Sequence, residues 1–402
     1  MGIRSFGAAL YNPFLALFLY SVMHVGYLEI GLIFVLVGGV QLPFGIAGGL
    51  WTDRIGRRKL IVLGLVTEAL LTASLAYAFD IRSLVLAVTV AAVGGCLLSA
   101  TAAAFSSYIA DWSTGSARTR AFTWYRIGYN AGFSVGVTLG GILVSFVGFP
   151  NALLTASLVI AGATIFVVAL IPPSPYDLEL RTGTPAPSKA ESKSERRSLT
   201  ASLAILSRDR VALLVATALA LAWLVGAQWN VTFSLFAHNK LGISYALLGI
   251  GFALNGVVVV VGQSFTTEGL IGRRHTTIAI LGTLLYVGGF LVLGLSALWM
   301  ILPGLIFLVA VIILTMGENV LTIPAYTLPS NLAPPAEVGS YNGAFNTFIG
   351  AASLAAIFFG GAVLAAVANP LLEWVLLVLP AVPAAILLRY SARRIPLDVD
   401  RA

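Results

Sequence analysis

Long apolar stretches recur along the whole chain, and short polar or glycine-containing connections separate them. Several exceed the ~20 residues that a helix rising ~1.5 Å per residue needs to cross a ~30 Å hydrocarbon layer. Twelve stretches are found, at residues 6–25, 29–50, 59–79, 84–109, 121–146, 149–171, 211–237, 245–267, 277–297, 299–322, 340–367 and 371–390. The pattern predicts an all-α integral membrane protein with twelve transmembrane helices.

The composition agrees with this prediction. Of 402 residues, 59% are hydrophobic and 10% are charged, whereas soluble domains contain roughly a quarter of charged residues. A soluble fold could not bury that much apolar surface. The first stretch lacks a clear small-residue cleavage site and further stretches follow at once, so we interpret it as the first span rather than a removable signal peptide.

Lysine and arginine are distributed unevenly between alternate connections. If the N-terminus is cytoplasmic, the outward connections carry only Arg82 and Lys240, whereas the inward connections and the termini carry twenty basic residues. Such an excess marks the cytoplasmic side. We therefore predict a multi-pass protein of the cell (inner, cytoplasmic) membrane with both termini in the cytoplasm. The net charge of +7 then reflects topology, and no nucleic-acid partner is expected.

One long polar segment, about 172–210, contains PPSPYD, TPAPSK and ESKSERR. Such a composition cannot bury enough apolar surface to fold alone. The predicted organisation is a six-helix bundle at 1–172, a cytoplasmic linker at 173–210, a second six-helix bundle at 211–390 and a cytoplasmic tail at 391–402.

The two predicted halves resemble each other at an offset of 216 residues. The matched residues are Gly56 and Gly272, Arg57 and Arg273, Arg58 and Arg274, and Asn130 and Asn346. These matches indicate a duplicated six-span unit with pseudo-symmetric bundles. Parallel repeats of this kind place a substrate path between the halves, near the membrane midplane.

The connection between spans two and three reads GLWTDRIGRR at residues 49–58, which fits the pattern GxxxDRxGRR at every defined position. Gly49 lets helices approach and Gly56 permits a tight turn without Cβ strain. The segment resembles the loop 2–3 motif of the major facilitator superfamily, whose members have the twelve-helix fold predicted above. A simpler interpretation, that the basic residues only set topology, would not explain Asp53 or the two glycines.

The resemblance implies that this loop is a conformational latch. In that family the aspartate and arginines form a cytoplasmic charge network with an acid at the end of span four, and this network stabilises the outward-facing state. Asp111 corresponds to that acid. The implied latch residues are Gly49, Asp53, Arg54, Gly56, Arg57, Arg58 and Asp111.

Other segments support the resemblance less fully. The second-half copy at 265–274 has lost the leading Gly and the Asp and retains Arg273 and Arg274. Span five has glycine at 128, 132, 136 and 140, a strip that allows close helix packing. It is also similar to the Gly-rich span-five motif of drug/proton antiporters of the multidrug efflux type, except that Val137 replaces a proline. The arginine that many proton-coupled members carry in span four is absent.

Ionisable side chains inside the spans are candidates for proton coupling, because each costs at least ~2.5–3.5 kcal/mol at a helix centre. Glu318 in span ten is the first candidate; hydration near the cytoplasmic end, or pairing with a basic residue, is the structural alternative. For Glu68 we favour a helix-packing role over direct coupling. Arg126 could pair with Asp111, reach an anionic substrate group, or only set topology.

Polar residues on cavity-lining helices are substrate-site candidates. Asn12, Tyr20 and His24 share a face of span one, although a histidine in the position of His24 is by default solvated on the outside. The remaining candidates are Gln228 and Asn230 in span seven and Thr315, Asn319, Thr322 and Tyr326 in span ten. Together with nearby aromatics they predict a pocket for a partly apolar organic molecule.

No Walker loop, GxSxG, HExxH or catalytic Cys/His/Asp grouping lies in a polar region, and the lone Cys96 excludes an internal disulfide. We expect no enzymatic activity, no cofactor and no metal. The leading hypothesis is a monomeric secondary transporter in the lipid bilayer that exports hydrophobic or amphipathic compounds by alternating access, with protons as coupling ion. Alternatives are an uptake permease for a sugar, organic acid or other metabolite, a lipid flippase or exporter, and a non-transporting sensor.

Overall fold

The computed structural model describes residues 1–113, 115–182, 208–299, 302–334 and 337–401. Within these ranges the chain forms helices and no strand, apart from one isolated bridge between Arg274 and Arg401. It divides into two compact units, one of Met1–Pro187 with Ser244–Ala253 and one of Ser188–Ile243 with Leu254–Ala402. Each unit is described by itself.

The first unit contains seven complete helices in the described residues. They are α1 (Gly2–Ala9), α2 (Leu15–Ser21), α3 (Tyr27–Ile55), α4 (Arg57–Asp80), α5 (Leu84–Asp111), α6 (Gly115–Leu170) and α7 (Pro175–Thr182), with a 3-10 turn at Asn12–Phe14. Its core is formed by apolar faces of α4, α5 and α6, where Leu65, Ala104 and Ile160 are almost fully buried.

The second unit continues the same helical pattern. Its elements are α8 (Arg210–Gly226), a 3-10 turn at Ala227–Trp229, α9 (Thr232–Leu241), α10 (Tyr245–Leu270, shared between the units), α11 (His275–Trp299), α12 (Pro303–Leu332), α13 (Val338–Ala366), α14 (Pro370–Val378) and α15 (Ala381–Ser391). Its core includes Trp374, which stacks on Phe290 with ring centroids 4.5 Å apart.

Nine helical segments among the described residues are long and apolar enough to cross a membrane. The predicted number was twelve. The first predicted span is broken, α6 runs through predicted spans five and six, and the second predicted span, in α3, includes residues outside the described part of the chain. Gly148 interrupts α6 with a φ of +77°, which glycine adopts without Cβ strain. The twelve-span count stays a prediction.

The first predicted span, 6–25, is not one helix. α1 ends at Ala9, a 3-10 turn holds Asn12, and α2 ends at Ser21. Pro13 lies in that turn, and a proline has no N–H to continue the α-helical hydrogen-bond ladder. The expectation that Asn12, Tyr20 and His24 share one helical face was therefore wrong, and His24 lies beyond α2 with a φ of +56°.

The glycine strip of α6 packs directly against α1. A Cβ atom on Gly132, Gly136 or Gly140 would collide with the backbone carbonyl oxygen of Gly2, Phe6 or Leu10. The hydroxyl of Ser5 also donates to a backbone carbonyl of α6, at 2.8 Å. The three glycines of α6 are four residues apart, and so are the three residues whose carbonyl oxygens they approach, as two closely packed helices require. The prediction of close packing is confirmed.

Candidate functional site

The predicted latch residues meet at the turn between α3 and α4. Gly56 has a φ of +98°, so the chain reverses in a conformation that favours glycine. The guanidinium of Arg57 then reaches two acids: Nη1 lies 2.8 Å from Asp53 Oδ1 and Nε lies 3.3 Å from Asp111 Oδ2. The structure therefore brings together Asp53, Arg57 and Asp111 from three different helices.

Tyr176 of α7 covers this charge network. The guanidinium carbon of Arg57 lies 3.8 Å from the centroid of its ring, a geometry that favours cation–π attraction. Its hydroxyl donates a hydrogen bond of 2.9 Å to the carbonyl oxygen of Asp53. Burial raises the pKa of Tyr176 above its usual value, although Arg57 opposes the shift, so the phenol stays protonated and able to donate.

Asp177, the next residue, holds the start of α4. Its Oδ1 accepts from the backbone N–H of Arg57 at 2.6 Å and its Oδ2 from that of Arg58 at 3.1 Å. The first N–H groups of a helix have no partner within the helix, and a negative charge there is favourable. Asp177 is 7% exposed, so it is a buried anchor of the latch turn.

Sequence reasoning missed Asp177 because it lies in the segment predicted as linker. A local signal existed in the sequence Ser174-Pro-Tyr-Asp177. Ser174 N–H donates to Asp177 at 2.9 Å, and Ser174 Oγ accepts from Asp177 N–H at 3.2 Å, which is the reciprocal capping box at a helix start. Ser174 Oγ also donates to Asp111 at 2.8 Å. The first part of the predicted linker is thus the helix α7, docked on the latch.

The remaining latch candidates have other surroundings. Arg58 donates to the carbonyl oxygens of Ile171 and Val168, both at 2.7 Å, where α6 ends and its last carbonyls lack helical partners. Arg54 is exposed and lines a cleft of about 150 Å³ with Lys59 and other residues. Gly49 lies within α3, and its surroundings fall outside the described part of the chain.

The carboxyl of Glu318 lies near the middle of α12 beside uncharged partners. Asn255 Nδ2 of α10 donates to Glu318 Oε2 at 3.1 Å and to Thr315 Oγ1 at 3.0 Å. Thr322 Oγ1 donates to the carbonyl oxygen of Glu318 at 2.6 Å. Among the residues that the structure describes, no cation forms an ion pair with Glu318. Hydrogen bonds therefore connect Glu318 to Thr322 on the same helix and, through Asn255 of α10, to Thr315.

Glu68 has a charged partner that sequence reasoning did not identify. Arg4 of α1 binds its carboxylate through both oxygens, with Nε 2.6 Å from Oε2 and Nη2 3.0 Å from Oε1. The two side chains are 9% and 13% exposed. Arg4 had been counted only as a topology signal, and nothing local to either residue indicates a pair separated by 64 positions. The ion pair favours the packing role expected for Glu68.

Arg126 is exposed, and no ion pair joins it to Asp111, whose described partners are Arg57 and Ser174. The pairing of Arg126 with Asp111 suggested by the sequence is therefore not found. The network around Asp111 is complete without it.

The other substrate-site candidates differ in burial and in their partners. Asn12, His24, Asn230 and Tyr326 are exposed, whereas Gln228 is fully buried and accepts from Thr232 Oγ1 at 2.7 Å. Tyr20 stacks on Tyr27 with centroids 4.6 Å apart. Asn319 is 2% exposed and donates to the carbonyl oxygen of Val258 at 3.2 Å, so the residue next to Glu318 also joins α12 to α10.

Relatives of known sequence are transporters. The chain is 25% identical over 398 residues to the uncharacterized MFS-type transporter YttB of Bacillus subtilis (strain 168), covering 98% of this chain and 94% of that one. It is 29% identical over 318 residues to the multidrug resistance protein MdtH of Aeromonas hydrophila subsp. hydrophila, covering 75% and 70%. These relatives agree with the likeness to multidrug efflux proteins.

Solved structures share the fold. A D-xylose–proton symporter superposes with a TM-score of 0.72 at 14% identity, covering 100% of this chain and 97% of the other. The family model of the Major Facilitator Superfamily matches residues 1–357. The resemblance inferred from the loop 2–3 motif is thereby confirmed, and the chain belongs to the Major Facilitator Superfamily of membrane transporters.

Proposed function

We propose that this protein is a secondary active transporter that works by alternating access and exports hydrophobic or amphipathic organic compounds in exchange for protons. Membership of the superfamily supports the transporter class. The relative MdtH, named as a multidrug resistance protein, supports export of this compound class. The Arg57 network with Asp53 and Asp111 supports a latch that opens and re-forms during the cycle.

The arrangement of Glu318 carries the proton-coupling part of the proposal. A carboxylate at a helix centre costs at least ~2.5–3.5 kcal/mol in hydrocarbon, unless it is paired or hydrated. The described hydrogen-bond partner of the Glu318 carboxyl is the amide of Asn255 rather than a cation, so a bound proton removes most of that cost. Glu68 differs, because Arg4 already neutralises it.

Exchange follows if proton and substrate compete for Glu318. The deprotonated carboxylate attracts the positive charge of an amphipathic cation, whereas the protonated carboxyl does not. A ligand shifts a conformational equilibrium only through its different affinity for the two states. Thr315, Asn319 and Thr322 would orient the carboxyl and the ligand, and the latch would limit access from the predicted cytoplasmic side.

Proteoliposomes provide the test. The protein is reconstituted with an internal pH dye and an imposed proton gradient, and amphipathic cations, sugars, organic acids and lipids are added in turn. We expect amphipathic cations to trigger a proton flux that falls at least tenfold in Glu318→Gln, because the substitution removes the titrating group. Glu268→Gln, a matched change at an exposed glutamate of α10, should keep the wild-type flux.

Each other outcome has a defined meaning. Flux that survives in Glu318→Gln would contradict the proton-site assignment. Flux triggered only by sugars or organic acids would favour the uptake permease. No flux from any compound, with protein shown to be folded and oriented, would contradict coupled export and favour lipid transport or sensing.

A further inference from the structure

The second unit buries a carboxyl group that the proposed mechanism does not use. Glu373 lies in the first turn of α14 and is fully buried. It does not cap that helix, because the side chain of Asn369 already accepts from the backbone N–H groups of Leu371 and Leu372, both at 3.0 Å. The Glu373 carboxyl is therefore left to interact with another helix.

Lys240 of α9 is the described partner of this carboxyl. Its Nζ lies 3.3 Å from Glu373 Oε1, and neither oxygen of Glu373 accepts a hydrogen bond from the described residues. The Lys240 side chain is 27% exposed, whereas that of Glu373 is 0% exposed. One member of the ion pair therefore reaches solvent, and the other is enclosed by protein.

The other titratable side chains of the surrounding helices have different partners or lie far from Glu373. They are His238 of α9, His275 and Tyr286 of α11, Tyr341 of α13, and Arg389 and Tyr390 of α15. His238 bonds to the carbonyl oxygen of Ile243 at 2.8 Å, and the ring of Tyr286 stacks within its own helix. The remaining four lie in the first or last turn of their helices, at the ends away from Glu373. The charge of Glu373 thus depends on Lys240.

This pair differs from the Arg4–Glu68 pair of the first unit in a way that permits a change of protonation. Arg4 binds both oxygens of Glu68, and an arginine stays charged throughout the physiological pH range. Lys240 makes one contact, through a strongly hydrated ammonium on a flexible stem. A proton on Glu373 ends the attraction, and Lys240 can then extend into solvent.

The ion pair attaches the end of α9, which is the outer half of predicted span seven. At the start of α9, a Cβ on Gly360 of α13 would collide with Thr232 Oγ1, so these two helices touch. In the middle of α9, the rings of Phe236 and Trp374 have centroids 5.2 Å apart. At its end, Lys240 is the only lysine or arginine predicted on the outer side of the second half. Topology does not require a basic residue there, whereas pairing with a buried acid does.

We propose that Glu373 is a second proton-binding site, separate from Glu318, and that a proton arriving from the predicted outer side releases Lys240 and loosens the end of α9. The start of α9 stays fixed on α13, so the helix moves about the 3-10 turn at Ala227–Trp229. Acid outside the cell then favours movement of this end of the second unit. The inference depends neither on the direction of transport nor on the substrate.

Infrared difference spectra test the proton site. Purified protein carrying Glu318→Gln, which removes the other candidate site, is titrated from neutral to acid pH, and the C=O stretch of protonated carboxyl groups is followed. We expect a band that is lost when Glu373→Gln is added and kept when Glu268→Gln, at an exposed glutamate, is added instead. With Lys240→Met the band should be present at neutral pH, because the buried carboxylate has lost its counter-charge.

Hydrogen exchange tests the release of α9. At one fixed pH, the amides of residues 238–241 should exchange about three- to tenfold faster in Glu373→Gln than in the wild type, because one partly exposed ion pair is lost. Lys240→Gln breaks the same pair from its exposed side, should give the same increase, and replaces Glu373→Gln if that variant does not fold. The amides of α8 should be unchanged in both variants.

Three results would overturn the proposal. They are a carboxyl band that Glu373→Gln leaves unchanged, unaltered exchange at 238–241 in folded Glu373→Gln, and an equal increase in α8, which would indicate general destabilisation. Neither measurement uses a substrate. A wild type without flux would therefore contradict the proposed function and leave these two tests unaffected.

Discussion

At the scale of single residues, two carboxyl groups lie inside apolar helices and have different partners. Glu68 is bound through both oxygens by Arg4, whereas Glu318 accepts from the neutral amide of Asn255. An ion pair fixes its members in their charged forms, because breaking it strands one charge in a low-dielectric medium. A carboxyl among neutral groups can take up and release a proton with less disruption, which is the property that coupling requires.

The Arg4–Glu68 pair gives a prediction about stability. Glu68→Gln leaves Arg4 buried without its counter-charge, so we expect a loss of about 3–5 kcal/mol in the free energy of unfolding. The double variant Arg4→Gln with Glu68→Gln removes both charges and should be clearly more stable than the single variant. Thermal unfolding in detergent compares the three proteins. Equal stability of the single variant and the wild type would show that the pair contributes nothing.

At the scale of helices, the close approach of α1 and α6 depends on the absence of side chains at three glycines. Pro13 ends the first helical segment early, so α1 is only eight residues long and is held by this packing and by the Ser5 hydrogen bond to α6. The pair Arg4–Glu68 forms because α1 is held there. A change at the glycine strip is therefore expected to disturb the ion pair as well.

Two glycines of α6 provide a matched comparison. A Cβ on Gly136 would meet the backbone of Phe6 and the Cβ of Ala9, whereas a Cβ on Gly162 would meet nothing within 4 Å. Gly136→Ala should destabilise by about 1–3 kcal/mol through overpacking. Gly162→Ala should be neutral or stabilise by up to about 1 kcal/mol, because alanine is the better helix former. Melting temperatures of both variants decide this, and equal effects would contradict the packing argument.

At the scale of the whole molecule, family membership places the chain among membrane transporters. The orientation in the membrane remains a prediction from the basic residues. α7 follows the last helix of the first predicted half, and the positive-inside pattern assigns it and the segment after α15 to the cytoplasmic side.

Cysteine labelling tests the orientation directly. In the Cys96→Ser background, a cysteine at Arg82 should react with a membrane-impermeant maleimide in intact cells. A cysteine at Lys59, likewise exposed in the fold, should react only after the membrane is opened. The predicted topology requires both results, since Lys59 begins span three at its predicted cytoplasmic end and Arg82 lies in the connection at the other end of that span. The reverse pattern would place the termini outside.

Features that depend on neighbouring positions could be predicted from the sequence. Hydropathy predicted a helical membrane protein, and glycines four residues apart predicted the packing face of α6. The motif GxxxDRxGRR resembled that of the family, and this resemblance implied that Asp53 and Arg57 belong to one charge network. Each signal is local, because helix length, turn conformation and helix faces are set within a few residues. The Ser174–Asp177 capping box is also a local signal. It was missed because the polar composition of the segment predicted a linker.

Contacts between groups far apart in the sequence could not be predicted and are seen only in the folded protein. Arg4 and Glu68 are 64 positions apart, Arg57 and Asp177 are 120 apart, and Thr276 and Asp400 are 124 apart. No local pattern selects such partners, because the choice depends on how complete helices pack and on where the chain returns after its last helix. The docking of Asp400 on the start of α11 follows from the same cause, because buried polar groups must find partners and the fold determines which ones are within reach.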